Sequence, residues 1–152
     1  MSIKILAVGK RHETWIEDGL RRYEKRLQRP FGVEWQLIPH SAKQEQDARR
    51  DESERLLARI KDDEFVVLLD ERGKLLDSPG LSTALLTPLE ASRSVTMIIG
   101  GAYGVDQSIH ERANLVWSLS PLVFPHQLVR LILIEQLYRA QEISAGRPYH
   151  HQ

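Results

Sequence analysis

The chain has 152 residues, with 21 basic and 21 acidic side chains and no cysteine. That length suits one domain able to bury a core without metals or disulfides. The missing cysteine excludes a disulfide framework, a thiolate metal site and a cysteine nucleophile, in keeping with a cytoplasmic protein. Zero net charge means that no overall field gathers polyanions, so any nucleic-acid contact must rest on a local patch.

Ile3 to Val8 is apolar and β-branched, ends at Gly9 and reads as a buried strand. The segment up to Gly9 has the makings of neither a signal peptide nor a membrane span. From about Glu13 to Leu27, Trp15, Ile16, Leu20, Tyr23 and Leu27 recur at helical spacing, and Pro30 and Gly32 stop the helix. Residues 10 to 29 also carry Lys10, Arg11, Arg21, Arg22, Lys25, Arg26 and Arg29 against Glu13, Glu17, Asp18 and Glu24, either a polyanion patch or a plain solvated face. Val33 to Ile38 alternates as a strand and ends at Pro39. Lys43 to Ile60 is a polar helix whose apolar stripe is Ala48, Leu56, Leu57 and Ile60, so its first half is expected to lie exposed.

Phe65 to Leu69 is a second continuously apolar strand, closed by Asp70-Glu71-Arg72-Gly73; such runs suggest a parallel or mixed sheet covered on both faces. Ser78-Pro79 opens a helix as N-cap and first residue, and carries it through Leu81, Leu85 and Leu86 until Pro88 kinks or ends it. Val95 to Ile99 is a strand leading into Gly100, Gly101 and Gly104, glycines of the kind used for positive φ or close approach. Asp106 and Ser108 start a short helix through Arg112. Leu115 to Leu119 is a fifth apolar run, Ser120 to Pro125 a loop pinned by two prolines, and Gln127 to Ser144 a long helix followed by the tail from Gly146 to Gln152. Strands alternating with helices over residues 1 to 152 predict a single α/β domain with a mostly parallel sheet flanked by helices.

In open α/β sheets, ligands bind beyond the carboxyl ends of strands. Three strand ends offer suitable loops: Leu69 to Gly73, Gly100 to Gly104 and Ser120 to Pro125. The first strand-to-helix turn, Val8-Gly9-Lys10, lacks the glycine fingerprint of dinucleotide and Rossmann-type methyltransferase sites. The last helix adds His126, Arg130, Glu135, Tyr138 and Arg139 among Leu131, Ile132, Leu133, Ile134 and Leu137. A helix apolar on most sides is buried in the core or at a subunit interface, so its polar groups need partners. For Arg130 and Glu135 that means an internal ion pair or a direct role. His150 and His151 are adjacent and lack a carboxylate cluster, which fits a metal poorly, and no G-x-S-x-G elbow marks a serine hydrolase.

Taken in order, Leu6-Ala7-Val8-Gly9-Lys10, Ile98-Ile99-Gly100-Gly101-x-x-Gly104, Trp117-Ser118-Leu119-Ser120, Pro125-His126-x-Leu128-Val129-Arg130, Glu135-x-Leu137-Tyr138-Arg139-Ala140 and Pro148-Tyr149-His150 closely resemble the RlmH-type ribosomal RNA methyltransferases. That family belongs to the trefoil-knotted SPOUT superfamily, and the resemblance covers the whole chain. It implies a homodimer with a C-terminal trefoil knot, no metal, no membrane, and S-adenosyl-L-methionine held in a bent form among the three loops. It further implies methylation of N3 of a pseudouridine in a stem-loop of large-subunit ribosomal RNA, in the assembled ribosome. Carried over by position, the cofactor contacts fall on Leu69, Gly101, Ser120, Pro121, Leu122, Val123, Phe124 and Pro125, largely through backbone.

Given a sulfonium methyl donor, the protein must align donor and acceptor and assist loss of the N3 proton. The resemblance puts the catalytic groups at His126, Glu135, Arg139, Tyr149 and His150. His126, Glu135, His150 and His151 are the titratable candidates for the base, with Arg130, Arg139 and Tyr149 binding phosphate or orienting the nucleotide. Tyr103 or Tyr149 could stack on an unpaired base, while Trp117 belongs in the core. The tail departs from the family pattern: a basic residue commonly follows Tyr-His, whereas here His151 and Gln152 stand, so a charge at that position would depend on pH. A non-catalytic RNA- or ribosome-binding dimer would not need the cofactor loops, and an unrelated nucleotide-binding enzyme would want a phosphate-binding lysine or an early glycine fingerprint.

Overall fold

Strands β1 (Ile3–Val8), β2 (Val33–Ile38), β3 (Phe65–Leu75), β4 (Val95–Ile99) and β5 (Leu115–Ser118) form one sheet in the order β2-β1-β4-β3-β5, with every neighbouring pair parallel. The coordinates are a computed structural model in which residues 3–149 are described. Parallel neighbours need crossover connections, and helices α1 (Thr14–Glu24), α2 (Glu45–Leu57), α3 (Ser78–Glu90) and α4 (Gln107–Arg112) supply them, with α5 (His126–Ser144) closing the described chain. The expected α/β architecture is therefore present.

Side chains alternate across a strand, so Ile3, Ile5 and Ala7 of β1 turn to one face and Leu6 and Val8 to the other. Both sets are buried. The first joins Ile16 and Leu20 of α1, Leu81 and Leu85 of α3, and Leu133 and Leu137 of α5. The second joins Leu56 of α2 and Ile109 of α4. Covering on both faces is why the strands read as continuous apolar runs. Helix α5 packs against both α1 and α3, which anchors its whole length on the first face.

Several elements differ from the sequence reading. Helix α1 ends at Glu24, with Lys25 as its C-cap. Its Trp15 is 57% exposed rather than part of the buried stripe, because Ile16 and Leu20, one turn apart, take the inner face and put Trp15 on the flank. In α2 the buried stripe is Ala48, Glu52, Ser53 and Leu56, so the first half is not wholly exposed and two polar residues lie inside. Strand β3 does not end at Leu69: it continues to Leu75 after a register shift between Leu69 and Lys74 against β5. Helix α3 is capped by Asp77, whose Oδ1 accepts from the Gly80 amide at 2.8 Å, one residue before the expected cap. It passes Pro88 to end at Glu90, since a proline this near the end forfeits a single intrahelical bond. Trp117 is buried in the core as expected.

Candidate functional site

Because β4, β3 and β5 are neighbours in the sheet, the loops leaving β4 and β5 meet the bulged stretch of β3 after Leu69. They enclose a cavity of about 390 Å³. Of the positions expected to contact a cofactor, Leu69, Gly101, Ser120, Leu122, Val123 and Phe124 line it, whereas Pro121 and Pro125 flank that loop without lining the cavity. Leu68, Leu119 and Val129 extend its apolar wall, and Asp70, Glu71, Arg72 and His126 give it a polar edge. Burial opposes ionisation of Asp70. Hydrogen bonds from the Arg72 side chain and amide, with the charges of Arg72 and His110, outweigh burial and hold the carboxyl below its ordinary value.

The glycine turn is held from behind. The Gly104 amide donates to the Gly101 carbonyl at 3.0 Å, and Gly104 has φ +75°, which only glycine adopts readily. A Cβ on Gly101 would stand 2.7 Å from Glu52 Oε1 and 3.1 Å from Val8 Cγ1, so it is the packed interior that excludes a side chain there. Glu52 is fixed in turn: its Oε2 accepts from the Ser41 amide at 2.9 Å. Ser53 Oγ accepts from the Asp106 amide at 3.0 Å, and Arg49 Nε donates to the Tyr103 carbonyl at 2.9 Å. Arg49, Glu52 and Ser53 therefore brace the turn and were not singled out from sequence. Their three- and four-residue spacing on the same face as Leu56 was the available signal.

His126 joins α5 to this turn. Its Nε2 lies 3.1 Å from the Gly100 carbonyl oxygen, so Nε2 carries the proton and donates. Burial, then the nearby Arg130 charge, lowers the ring's pKa to about 4, against the Gly100 hydrogen bond. Arg130, one turn further on, is fully buried. Its Nη1 donates to His12 Nδ1 at 3.1 Å, while Nε and Nη2 have no hydrogen-bond partner, and no carboxylate pairs with it among the described residues. Burial first, and Arg130 second, also lower the pKa of His12.

Glu135, Arg139 and Tyr149 form a separate cluster. Arg139 Nε and Nη2 donate to Glu135 Oε2 at 3.1 and 2.8 Å, and Tyr149 Oη donates to the same oxygen at 3.1 Å. The Arg139 guanidinium lies 4.9 Å from the centre of the Tyr149 ring. Burial, then the Glu135 charge, pushes the Tyr149 phenol up to about 12. Thus Glu135 has its internal ion pair while Arg130 has none. Nine residues separate Glu135 from His126 along α5, roughly 14 Å at the helical rise of about 1.5 Å per residue. The structure brings His126 to the cavity and Glu135, Arg139 and Tyr149 to one another, but does not merge the two groups. His150 and His151 lie outside the described residues. Among those residues no set of three His, Asp or Glu side chains could hold a metal, and no helix is long and apolar enough to cross a membrane.

Comparison with known proteins gives a consistent result. Residues 1–150 match the family model described as "Predicted SPOUT methyltransferase". A protein of Desulfitobacterium hafniense named ribosomal RNA large subunit methyltransferase H is 43% identical over 158 aligned residues, covering 99% of both chains. Proteins with that name from Lactobacillus delbrueckii subsp. bulgaricus and Alkalilimnicola ehrlichii are 40% and 41% identical, again over 99% of both chains.

Proposed function

The chain belongs to the SPOUT methyltransferase family, and from that premise we propose that it binds S-adenosyl-L-methionine in the cavity between the bulge of β3 and the ends of β4 and β5 and methylates large-subunit ribosomal RNA. The acceptor in this reading is N3 of a pseudouridine in the assembled ribosome, and the enzyme is a cytoplasmic homodimer with a C-terminal trefoil knot. The observation that carries the cofactor assignment is the convergence of the loops after β4 and β5 and the bulge of β3 on one cavity. The lining suits the group: Leu69, Leu119, Phe124 and Val129 offer apolar cover for a flat base, exposed backbone follows Gly100, and Asp70 sets a carboxylate at the edge for a cationic or hydroxyl-bearing ligand. The relatives' shared name, matched along nearly their full length, supports the RNA substrate.

When bound, the cofactor supplies an activated methyl group, so the protein's share is alignment, exclusion of water and management of one proton. His126 is assigned to alignment, since its Nε2 proton is committed to Gly100. Glu135 is assigned as acceptor of the N3 proton, with Arg139 and Tyr149, both bonded to it, orienting the carboxylate and the nucleotide together with His150. A cluster some 14 Å along α5 from His126 is badly placed for its own chain's cavity. We therefore take it to serve the cavity of a second copy, which gives the homodimer a chemical reason.

Calorimetry with S-adenosyl-L-methionine and methyl transfer onto ribosomes with and without the pseudouridine test this reading. Binding with transfer only to the pseudouridine-containing ribosomes is expected. Folded protein that takes up no cofactor would overturn the assignment.

A further inference from the structure

Arg130 poses a problem that the cofactor cavity does not solve. A buried guanidinium ordinarily faces a carboxylate, because an uncompensated buried charge is costly. Arg130 is 0% exposed and forms no ion pair with a carboxylate among the described residues, the Glu13 charge acting on it without direct contact. Its bond to His12 Nδ1 uses Nη1 alone. The donors left over, Nε and Nη2, are the pair that share one edge of the guanidinium, the side-on fork that grips a carboxylate or phosphate with two parallel hydrogen bonds. The unused edge therefore holds both donors of a bidentate grip.

The surroundings suit an anion. Gly9, with φ +143°, lets basic side chains close on the backbone at the end of β1: a Cβ placed there would lie 3.1 Å from Arg130 Nη2, 3.5 Å from His40 Nε2 and 3.6 Å from His126 Cε1. Basic side chains from α5 and from the loop after β2 thus surround Gly9, and Lys10 stands exposed beside it. His40 is the outer wall. It is exposed, and its Nδ1 lies 3.9 Å from Glu52 Oε2, too far for a hydrogen bond to hold it in place. The acidic groups nearest the cluster are Glu13, which accepts from Trp15 and whose charge acts on Arg130 without a direct ion pair, and Glu52, whose Oε2 accepts from the Ser41 amide.

We propose that Arg130, with His12 and His40 around Gly9, is an oxyanion subsite next to the cofactor cavity, and that its ligand is a phosphodiester of the RNA substrate. The assignment rests on the RNA methyltransferase reading. His126 lies between the two sites, against Gly100 on one side and Gly9 on the other. An RNA backbone gripped by Arg130 would thereby be registered against the cavity without contact to the cofactor, the division of labour in which phosphate contacts position and other contacts specify.

The test uses the full chain, with Arg130→Met and His40→Glu as variants, the second placing a carboxylate at an exposed position where it can take the fork. Three quantities are read: imidazole NMR shifts on addition of inorganic phosphate, calorimetric affinity for S-adenosyl-L-methionine, and salt-dependent binding of a single-stranded oligoribonucleotide. In the wild type, phosphate should shift His12 and His40; in Arg130→Met it should shift neither, and in His40→Glu it should leave His12 unmoved. Both variants should bind the oligonucleotide on the order of ten-fold more weakly, with the salt slope reduced by about one, and bind the cofactor as before. Loss of cofactor affinity with RNA binding intact would assign the fork to the cofactor's carboxylate and overturn the phosphodiester. Unchanged values in both assays would overturn the subsite itself. Wild-type protein that binds no cofactor would instead sink the methyltransferase reading, and the phosphate titration would still decide the subsite. Thermal melting separates misfolding from these outcomes: removal of an unpaired buried charge should leave the Arg130→Met midpoint unchanged or raise it, whereas a structural arginine would lower it.

Discussion

The Nε2 of His126 stands 3.1 Å from the carbonyl oxygen of Gly100, so a single hydrogen bond fastens the first turn of α5 to the cavity wall. A net hydrogen bond contributes about 0.5–1.5 kcal/mol. His126→Ala should therefore weaken binding of S-adenosyl-L-methionine by roughly 3- to 10-fold, through a looser glycine turn. Calorimetry on the variant checks this; an unchanged dissociation constant would remove His126 from the alignment role.

The same imidazole should make stability depend on pH. Its pKa is lowered from 6.5 to about 4 in the folded chain by burial and by Arg130, so the unfolded chain binds the proton more readily. Stability from this source is then fully present above pH 6.5 and is lost as pH falls through the window toward 4. His12 shifts in the same direction and adds to the effect. Melting temperatures across that window should fall more steeply for the wild type than for Arg130→Met, because removing the guanidinium removes one cause of both shifts.

Gly101→Ala should be costly for a reason unrelated to the ligand. The new methyl would meet Glu52 Oε1 at 2.7 Å and Val8 Cγ1 at 3.1 Å, and overpacking of this kind costs about 1–3 kcal/mol. Glu52→Ala in the same chain should recover part of that loss. A double-mutant cycle in chemical denaturation measures the coupling, and simple additivity would mean that the turn moves away from Glu52 without cost.

The three segments that line the cavity are legible in the sequence because each follows a continuously apolar run and opens on residues that break pairing: Asp70, Gly100 and Ser120. What supports them is less legible. Glu52 and Ser53 look like two more polar residues in a charged helix, and only the folded chain reveals that the glycine turn needs partners beneath it. Residues Asp70 to Gly73 look like a turn, yet the chain bulges there and resumes pairing with β5 at Lys74. Arg130 is the sharpest case. Its place in an apolar stretch of α5 is visible from spacing, but whether a carboxylate meets it depends on segments more than a hundred residues away, where His12 stands instead.

The basic segment around α1 should bind RNA without touching the cofactor. Arg21 is paired with Glu17 and Asp18, whereas Arg22 and Arg26 have no ion pair among the described residues. Reversing both, as Arg22→Glu with Arg26→Glu, should weaken ribosome binding and flatten its salt dependence by about two counterions or more, with cofactor affinity unchanged. Filter binding at several salt concentrations beside calorimetry checks this. Equal losses in both assays would point to a general folding defect rather than an RNA surface.

The separation of Glu135 from His126 makes a prediction about mixed dimers. In a symmetric dimer whose cavities are each completed by the partner's cluster, Glu135→Gln alone disables every site, and His126→Ala alone slows every site when the cofactor is held below its raised dissociation constant. In a mixed dimer, one site combines the intact cavity of the Glu135→Gln chain with the intact Glu135 of the His126→Ala chain. Random assembly makes about half of the dimers mixed, each with one working site of two, so co-expression should restore about a quarter of wild-type methyl transfer. If Glu135 instead acts on its own chain's cavity, every chain in the mixture carries one defect and activity does not rise above that of the His126→Ala chains alone. The assay therefore distinguishes a shared site from two self-contained ones, and the roughly 14 Å along α5 predicts the shared outcome.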